Sequence, residues 1–361
     1  MMDPILYNPG FQHIGESIFM HLDNKQLQAL KLVNHCWKNF LDNPRFWFKK
    51  CIQSGLSMEL QTEWNKLIQL LQGTNLEKNL TLCLIKMHYK DSWYFTSPLR
   101  WISKVGDLAL VQVMFEHKQL FQINCLFKEI YVAASNGHTE IVKALVAGSD
   151  KPNVHHMFGW TPMHNAALYG HTEVVKFLLS VTKNTNPPSH ALGQTPMHSA
   201  SMNGHTETVK ALMACTDDPN ASDNLGRTPM HEAAANGHTE VVKALVTYID
   251  NPNPQDNLGR TPIYVAARNG HTEVVKTLLA HTENPNVTDD TFGRTPIHEA
   301  ASNGHIETLK VLVDYSDNPN VPDNFGKTPI NLAAKNGHTQ IVKFLKSKNK
   351  KHSKASKRSK A

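Results

Sequence analysis

No stretch of this 361-residue chain approaches about 18 consecutive apolar residues, which excludes a membrane-spanning helix. The first 20 residues lack a basic segment followed by an apolar core, so no secretory leader is expected there. Cysteine is scarce. Cys36, Cys51, Cys83, Cys125 and Cys215 are widely spread and form no C-x-x-C pair, which argues against a disulfide framework and a cysteine zinc site and points to a reducing intracellular compartment. Nucleophile and phosphate signatures are missing as well: no G-x-S-x-G, no G-x-x-x-x-G-K-[ST], no H-E-x-x-H. No catalytic residue is assigned, and no cofactor, metal or enzymatic activity is expected of the chain itself.

Charge of one sign is scarce too, once it is located. Of 37 Lys and Arg, eight lie in residues 346–361, which hold no acid; the rest of the chain sets 29 basic against 31 acidic residues. A nearly neutral body argues against a nucleic-acid-binding domain. Contact with nucleic acid is expected only weakly, through the basic tail.

What is abundant is repetition. The doublet Gly-His recurs with its glycine at 137, 170, 204, 237, 270, 304 and 337, in steps of 33 or 34 residues. Around it stands one pattern, seen clearly as Gly226-Arg-Thr-Pro-Met-His-Glu-Ala-Ala-Ala-Asn-Gly-His-Thr-Glu-Val-Val-Lys-Ala-Leu245. Thr228-Pro229 opens a helix, Thr as cap and Pro in the first turn. Ala233 and Ala234 let a neighbouring helix approach. Asn236-Gly237 ends the helix, Gly supplying a left-handed conformation. Thr239-Glu240 starts a second helix, on which Val241, Val242, Leu245 and Val246 form one apolar stripe. Asn251-Pro252-Asn253 breaks it, and Asp256-Asn257-Leu258-Gly259 turns into the next unit. One such unit exposes apolar surface on both sides, so only stacking buries it.

This unit resembles the ankyrin repeat in its period and its Thr-Pro-x-His-x-Ala signature. Seven units cover residues ~127–345, and Gly106-Asp-Leu-Ala-Leu-Val111 echoes Gly137-His-Thr-Glu-Ile-Val142 as a degenerate unit ahead of them. The last unit has Asn331 in place of His, with Lys335, Lys343 and Lys346, as a polar cap requires. The resemblance implies an all-α solenoid with short β-hairpin fingers. It also implies that the histidines are structural.

Five of the six tryptophans lie in the first 101 residues, so the architecture changes near residue 100. Ile14, Ile18 and Leu22 share a helical face; Asp23 and Asn24 can cap a second helix carrying Leu27, Leu30 and Trp37; Pro44 breaks it before Phe46-Trp47-Phe48. This segment resembles the F-box, a three-helix module that docks on the Skp adaptor of a cullin-type ubiquitin ligase. The family's opening Leu-Pro is replaced by Gly10-Phe11, with Pro9 one place earlier. The resemblance implies that Ile14, Ile18, Leu22, Leu27, Leu32, Val33, Trp37 and Trp47 form or support the adaptor-binding surface. The organisation read from the sequence is therefore an F-box-like domain over 1–51, a helical linker over 52–100, ankyrin repeats over 101–345 and a disordered basic tail over 346–361. In the linker, Leu60, Trp64, Leu67, Ile68 and Leu71 make an apolar stripe at helical spacing.

The repeat's fixed positions leave a few variable ones that face the groove in this family. They include Asn165, Met202, Glu232, Arg268 and Glu299. Trp160 stands where other units carry Gln, Arg or Lys, and Tyr169 replaces the Asn that precedes Gly-His elsewhere. Large aromatics, Met and Arg dominate interface energetics, so these seven residues are the expected partner-binding set. Arg227, Arg260, Arg294 and Lys327, against Asp223, Asp256, Asp289, Asp290 and Asp323, read as a structural charge ladder between fingers.

Two functions fit. One is the substrate-recognition subunit of a Skp–cullin–F-box ubiquitin ligase, a non-catalytic adaptor holding an unknown protein substrate in the ankyrin groove. The other is an ankyrin scaffold or inhibitor without ligase function, including an effector of an intracellular parasite or symbiont. Either places the chain in the cytoplasm, the nucleus or both, the tail being a candidate nuclear-import signal.

Overall fold

The computed structural model describes residues 44, 45, 48, 58–72, 74–77, 79–81, 97–117, 121, 126–149, 159–182 and 184–358. The expected adaptor contacts Ile14, Ile18, Leu22, Leu27, Leu32, Val33, Trp37 and Trp47 lie outside the described residues. The chain divides into two compact units, Met1–Pro152 and Asn153–Ala361.

In the first unit Pro44, Arg45 and Phe48 are helical, and Phe48 is buried. Arg45 donates from its guanidinium to Gln72 Oε1 at 2.7 Å. The stripe expected after residue 52 forms the helix Met58–Leu71, which buries Trp64, Leu67, Ile68 and Leu71. It packs on the helix Pro98–Val105, which buries Leu99, Trp101 and Ile102. Ser97 caps that helix with its side chain, Pro98 occupies the first turn, and Gly106 ends it at φ 93°. Helix Leu108–Glu116 follows, capped by Asp107, and the pair stacks on Phe127–Ser135 and Thr139–Ala147.

The second unit repeats one device six times. A short first helix is followed, after a turn of two or three residues, by a second one. The first helices are Pro162–Leu168, Pro196–Met202, Pro229–Ala235, Pro262–Asn269, Pro296–Asn303 and Pro329–Lys335. The second helices are Thr172–Val181, Thr206–Met213, Thr239–Val246, Thr272–Leu279, Ile306–Asp314 and Thr339–Arg358. First helices pack on first helices and second on second, giving two layers. Paired alanines such as Ala233 and Ala234 are fully buried, as are Val241, Val242 and Leu245. Burying each of these larger side chains contributes about 1.5–3 kcal/mol.

Among the described residues every regular element is helical, and none is long and apolar enough to cross a membrane. The expected β-hairpin fingers are turns rather than strands. Each is closed by two backbone bonds, as from Asp223 N–H to Arg227 C=O at 2.8 Å and from Gly226 N–H to Asp223 C=O at 2.9 Å. The four fingers from Asp223 onward are each tied to the preceding finger by one more, as from Asn224 N–H to Leu192 C=O at 2.9 Å. So few rungs do not make a ladder.

The basic segment from Lys346 was expected to lack fixed structure, yet the last helix runs through it to Arg358. Residues 346–358 contain neither Gly nor Pro to stop a helix, and Lys propagates one well. Lys348 also pairs with Asp314 at 2.7 Å and rests over the Phe344 ring at 5.5 Å.

Candidate functional site

The surface available to a partner is what the scaffold leaves over, so the scaffold's own bonds come first. In four repeats the Thr-Pro-x-His histidine closes a capping box with its threonine. His231 Nδ1 accepts from Thr228 N–H at 3.1 Å, so its proton sits on Nε2, which donates to the Arg260 carbonyl of the next finger at 3.0 Å. His164, His198 and His298 do the same towards Gln194, Arg227 and Lys327. Burial lowers all four from the ordinary imidazole value, His164 and His231 to about 4. Asn331 replaces the histidine in the last repeat, and its Oδ1 still accepts from Thr328 N–H at 3.0 Å.

The charge ladder stands mainly within fingers. Asp223 Oδ1 accepts the N–H groups of Leu225 and Arg227, and Oδ2 takes the Arg227 guanidinium at 2.8 Å. Arg260 and Asp256 repeat this at 2.7 Å. Arg294 alone of the three arginines crosses to the next finger, reaching Asp323 at 3.3 Å.

The expected contact residues separate into two groups. Asn165, Glu232 and Glu299 are buried in the packed first-helix layer. Glu232 pairs with Arg227 at 2.9 Å, and Glu299 with Arg294 at 3.4 Å and, more loosely, with Arg268 at 3.9 Å. Burial raises the pKa of Glu232 against the pull of Arg227, with a further push from Asp223. These three side chains shape the wall rather than project from it. Trp160 is half-buried, its ring 5.2 Å from that of His164. Met202 is partly exposed, and Tyr169 and Arg268 are exposed.

Tyr169 is the most telling of these. Asn203, Asn236 and Asn303 stand at its position in other repeats, and each amide bonds the carbonyl four residues back at 2.9–3.0 Å. Tyrosine gives up that bond and leaves a ring 56% exposed.

The sequence reading missed a row of exposed apolar finger tips: Leu192, Leu225, Leu258, Phe292 and Phe325. Its signal was present, since each immediately precedes a finger glycine. Phe292 and Phe325 touch, ring centroids 6.1 Å apart.

An F-box domain model matches residues 12–49, and an ankyrin-repeat model matches three times, over 130–223, 207–289 and 282–356. The ankyrin matches together span more than half of the chain. The chain belongs to the ankyrin-repeat family and carries an F-box domain. No curated protein matches it. F-box domains bind Skp adaptors, and ankyrin repeats bind protein targets; both are adaptor modules by type. This F-box/ankyrin protein therefore mediates protein–protein interaction. Met202 and Arg268 stand on first helices and Tyr169 caps one at its C-terminus, in units whose caps and stacking bonds are otherwise repeated.

Proposed function

We propose that this chain is the substrate-recognition subunit of a Skp–cullin–F-box ubiquitin ligase. The reading is carried by one combination: an F-box match at residues 12–49 in the same chain as an ankyrin stack that leaves the variable side chains of Tyr169, Met202 and Arg268 at least partly exposed. The F-box segment, through Leu22, Val33 and Trp37 among others, holds the adaptor. Tyr169, Met202 and Arg268 contact the target protein, with Trp160 beside them and Asn165, Glu232 and Glu299 shaping the wall. The chain does no chemistry in this scheme. It raises the local concentration of a target beside a conjugating enzyme carried by the complex. The protein works in the cytoplasm, the nucleus or both.

The test is purification of the chain from cells with its associated proteins. Recovery of a Skp adaptor and a cullin, lost on Leu22→Ala with Trp37→Ala while the helical signal of the repeats persists, supports the reading. An unmutated chain that recovers neither sinks it. The second reading, an ankyrin scaffold or inhibitor without ligase, is favoured by one observation: Gly10-Phe11 stands where F-boxes open with Leu-Pro. It predicts groove-dependent partners with no adaptor among them.

A further inference from the structure

In three successive repeats the finger glycine is followed by an arginine and, five residues on, the first helix carries a groove-wall position. In the Gly226 repeat this is Arg227 with Glu232, paired at 2.9 Å; in the Gly293 repeat it is Arg294 with Glu299, at 3.4 Å. Between them the pattern breaks. The Gly259 repeat has Arg260, but Val265 stands where the glutamate would be. Among the described residues, Arg260 forms its ion pair with Asp256 alone.

A cavity of about 280 Å³ opens at that break, at the junction of the Gly226 and Gly259 repeats. It exists because two side chains are short. Ala235 sits where other repeats carry Met202 or Arg268, and Val265 replaces the longer glutamate. Its walls bear Arg260 and Arg268 on one side and the Arg227–Glu232 pair on the other. Arg268 is more than half exposed, and its nearest carboxylate, Glu299, is 3.9 Å away. Glu232 and Asp256 each already face a guanidinium at under 3 Å. Arg227 faces two carboxylates, Asp223 and Glu232, whereas among the described residues Arg260 faces Asp256 alone and Arg268 has no carboxylate closer than 3.9 Å, so the place for one more carboxylate lies beside Arg260 and Arg268.

We propose that this cavity binds an acidic side chain of the partner polypeptide, whose carboxylate takes, beside Arg260 and Arg268, the place that Glu232 and Glu299 fill in their own repeats. The inference rests on the groove reading above and adds to it the chemistry of one anchor. A guanidinium presents paired donors that match a carboxylate. The walls favour a monoanion: a doubly charged phosphate would meet Glu232 and Asp256 as well as the arginines. The volume suits one side chain rather than a folded element.

The test begins with selection of a random linear-peptide library on the full-length chain. Enriched peptides are expected to share one Asp or Glu, and changing it to Asn or Gln should weaken binding about tenfold or more. Val265→Glu supplies the missing carboxylate from within, the arrangement that the two flanking repeats already use, and should weaken the same peptides by a similar factor without lowering the unfolding midpoint. Arg268→Ser should weaken them too, and covers the case in which Val265→Glu fails to fold. Enriched peptides with no shared acid, undiminished binding to both variants, or a phosphoserine peptide that binds where its Glu counterpart does not would each overturn the proposal; so would a selection that enriches nothing. The groove reading fails separately, when enriched peptides bind equally to Tyr169→Asn with Met202→Ser.

Discussion

His238 leans back over Gly204: its Nε2 donates to the Met202 carbonyl at 2.9 Å, and a Cβ on Gly204 would lie 2.6 Å from its Nδ1. The glycine is there for two reasons at once, a φ of 75° and the ring of the next repeat. His271 over Gly237, His305 over Gly270 and His338 over Gly304 repeat the contact, and so does His138 over Gly106 in the first compact unit. The Gly-His doublet is thus one bond between neighbours, written once per repeat.

Gly337 separates the two causes. It has φ 80°, but nothing lies within 4 Å of where its Cβ would be. Gly337→Ala should cost only the left-handed penalty, about 1–2 kcal/mol. Gly204→Ala should cost that and roughly 1–3 kcal/mol more, for displacing a ring that also carries a hydrogen bond. Urea unfolding of the two variants checks it. Equal losses would show that the ring moves aside freely.

The four capping histidines make the stack sensitive to acid. Each is kept neutral when folded, because Nδ1 already accepts a backbone N–H and burial opposes charge. An unfolded imidazole near 6.5 takes up a proton that the folded one, at about 4 for His164 and His231, does not. Stability is therefore undiminished above pH 6.5 and falls as the pH drops from there towards 4, by roughly 3 kcal/mol for each of these two histidines over that interval. The urea midpoint should follow this slope. His231→Asn, which copies Asn331, should make the slope shallower while lowering the midpoint at neutral pH through the lost bond to Arg260. A midpoint flat between pH 6.5 and 4 in the unmutated protein would refute the assignment.

Much of this was legible in the sequence, because the ankyrin repeat is a local code. Thr, Pro, His and Gly each act within a few residues of where they stand, and a period of 33 brings each onto its copy. The burial of Asn165, Glu232 and Glu299 was not legible. They flank the alanines as Met202 and Arg268 do, and only the approach of the next first helix decides which of the two rows is covered. The finger arginines show the same limit. Arg227 and Arg294 follow identical glycines, yet one closes on its own aspartate and the other on its neighbour's. The Asp289 finger is one residue longer, its closing bond running to Arg294 rather than to the fourth residue on.

That difference gives Arg294 a coupling role. Its guanidinium touches Asp323 of the next finger, Glu299 of its own repeat and the Phe292 ring at 4.9 Å. Arg294→Ala leaves two buried carboxylates short of a cation, and should destabilise by about 1–3 kcal/mol. The effect should concentrate at the Gly293–Gly326 junction, read as faster hydrogen exchange there. Lys243→Ala, which breaks an exposed pair with Glu240, should change stability by well under 1 kcal/mol. Comparable losses in the two variants would remove the case for coupling.

The groove residues can be divided by what else they hold. Trp160 packs on a capping histidine, so Trp160→Gln should lower the unfolding midpoint and says little about binding by itself. Tyr169, Met202 and Arg268 expose side chains that neighbouring repeats do without. Tyr169→Asn, Met202→Ser and Arg268→Ser each move a position towards what another repeat already uses, and Tyr169→Asn can regain the amide bond made by Asn203, Asn236 and Asn303. The triple variant should unfold within about 0.5 kcal/mol of the unmutated chain. It should keep whatever the F-box segment recruits, and lose the partners held by the repeats, at roughly 1–4 kcal/mol for each true anchor. Quantitative co-purification from cells reads both in one experiment. If the repeat-bound partners stay at full strength, recognition does not run through the groove, and the exposed row from Leu192 to Phe325 becomes the surface to mutate next.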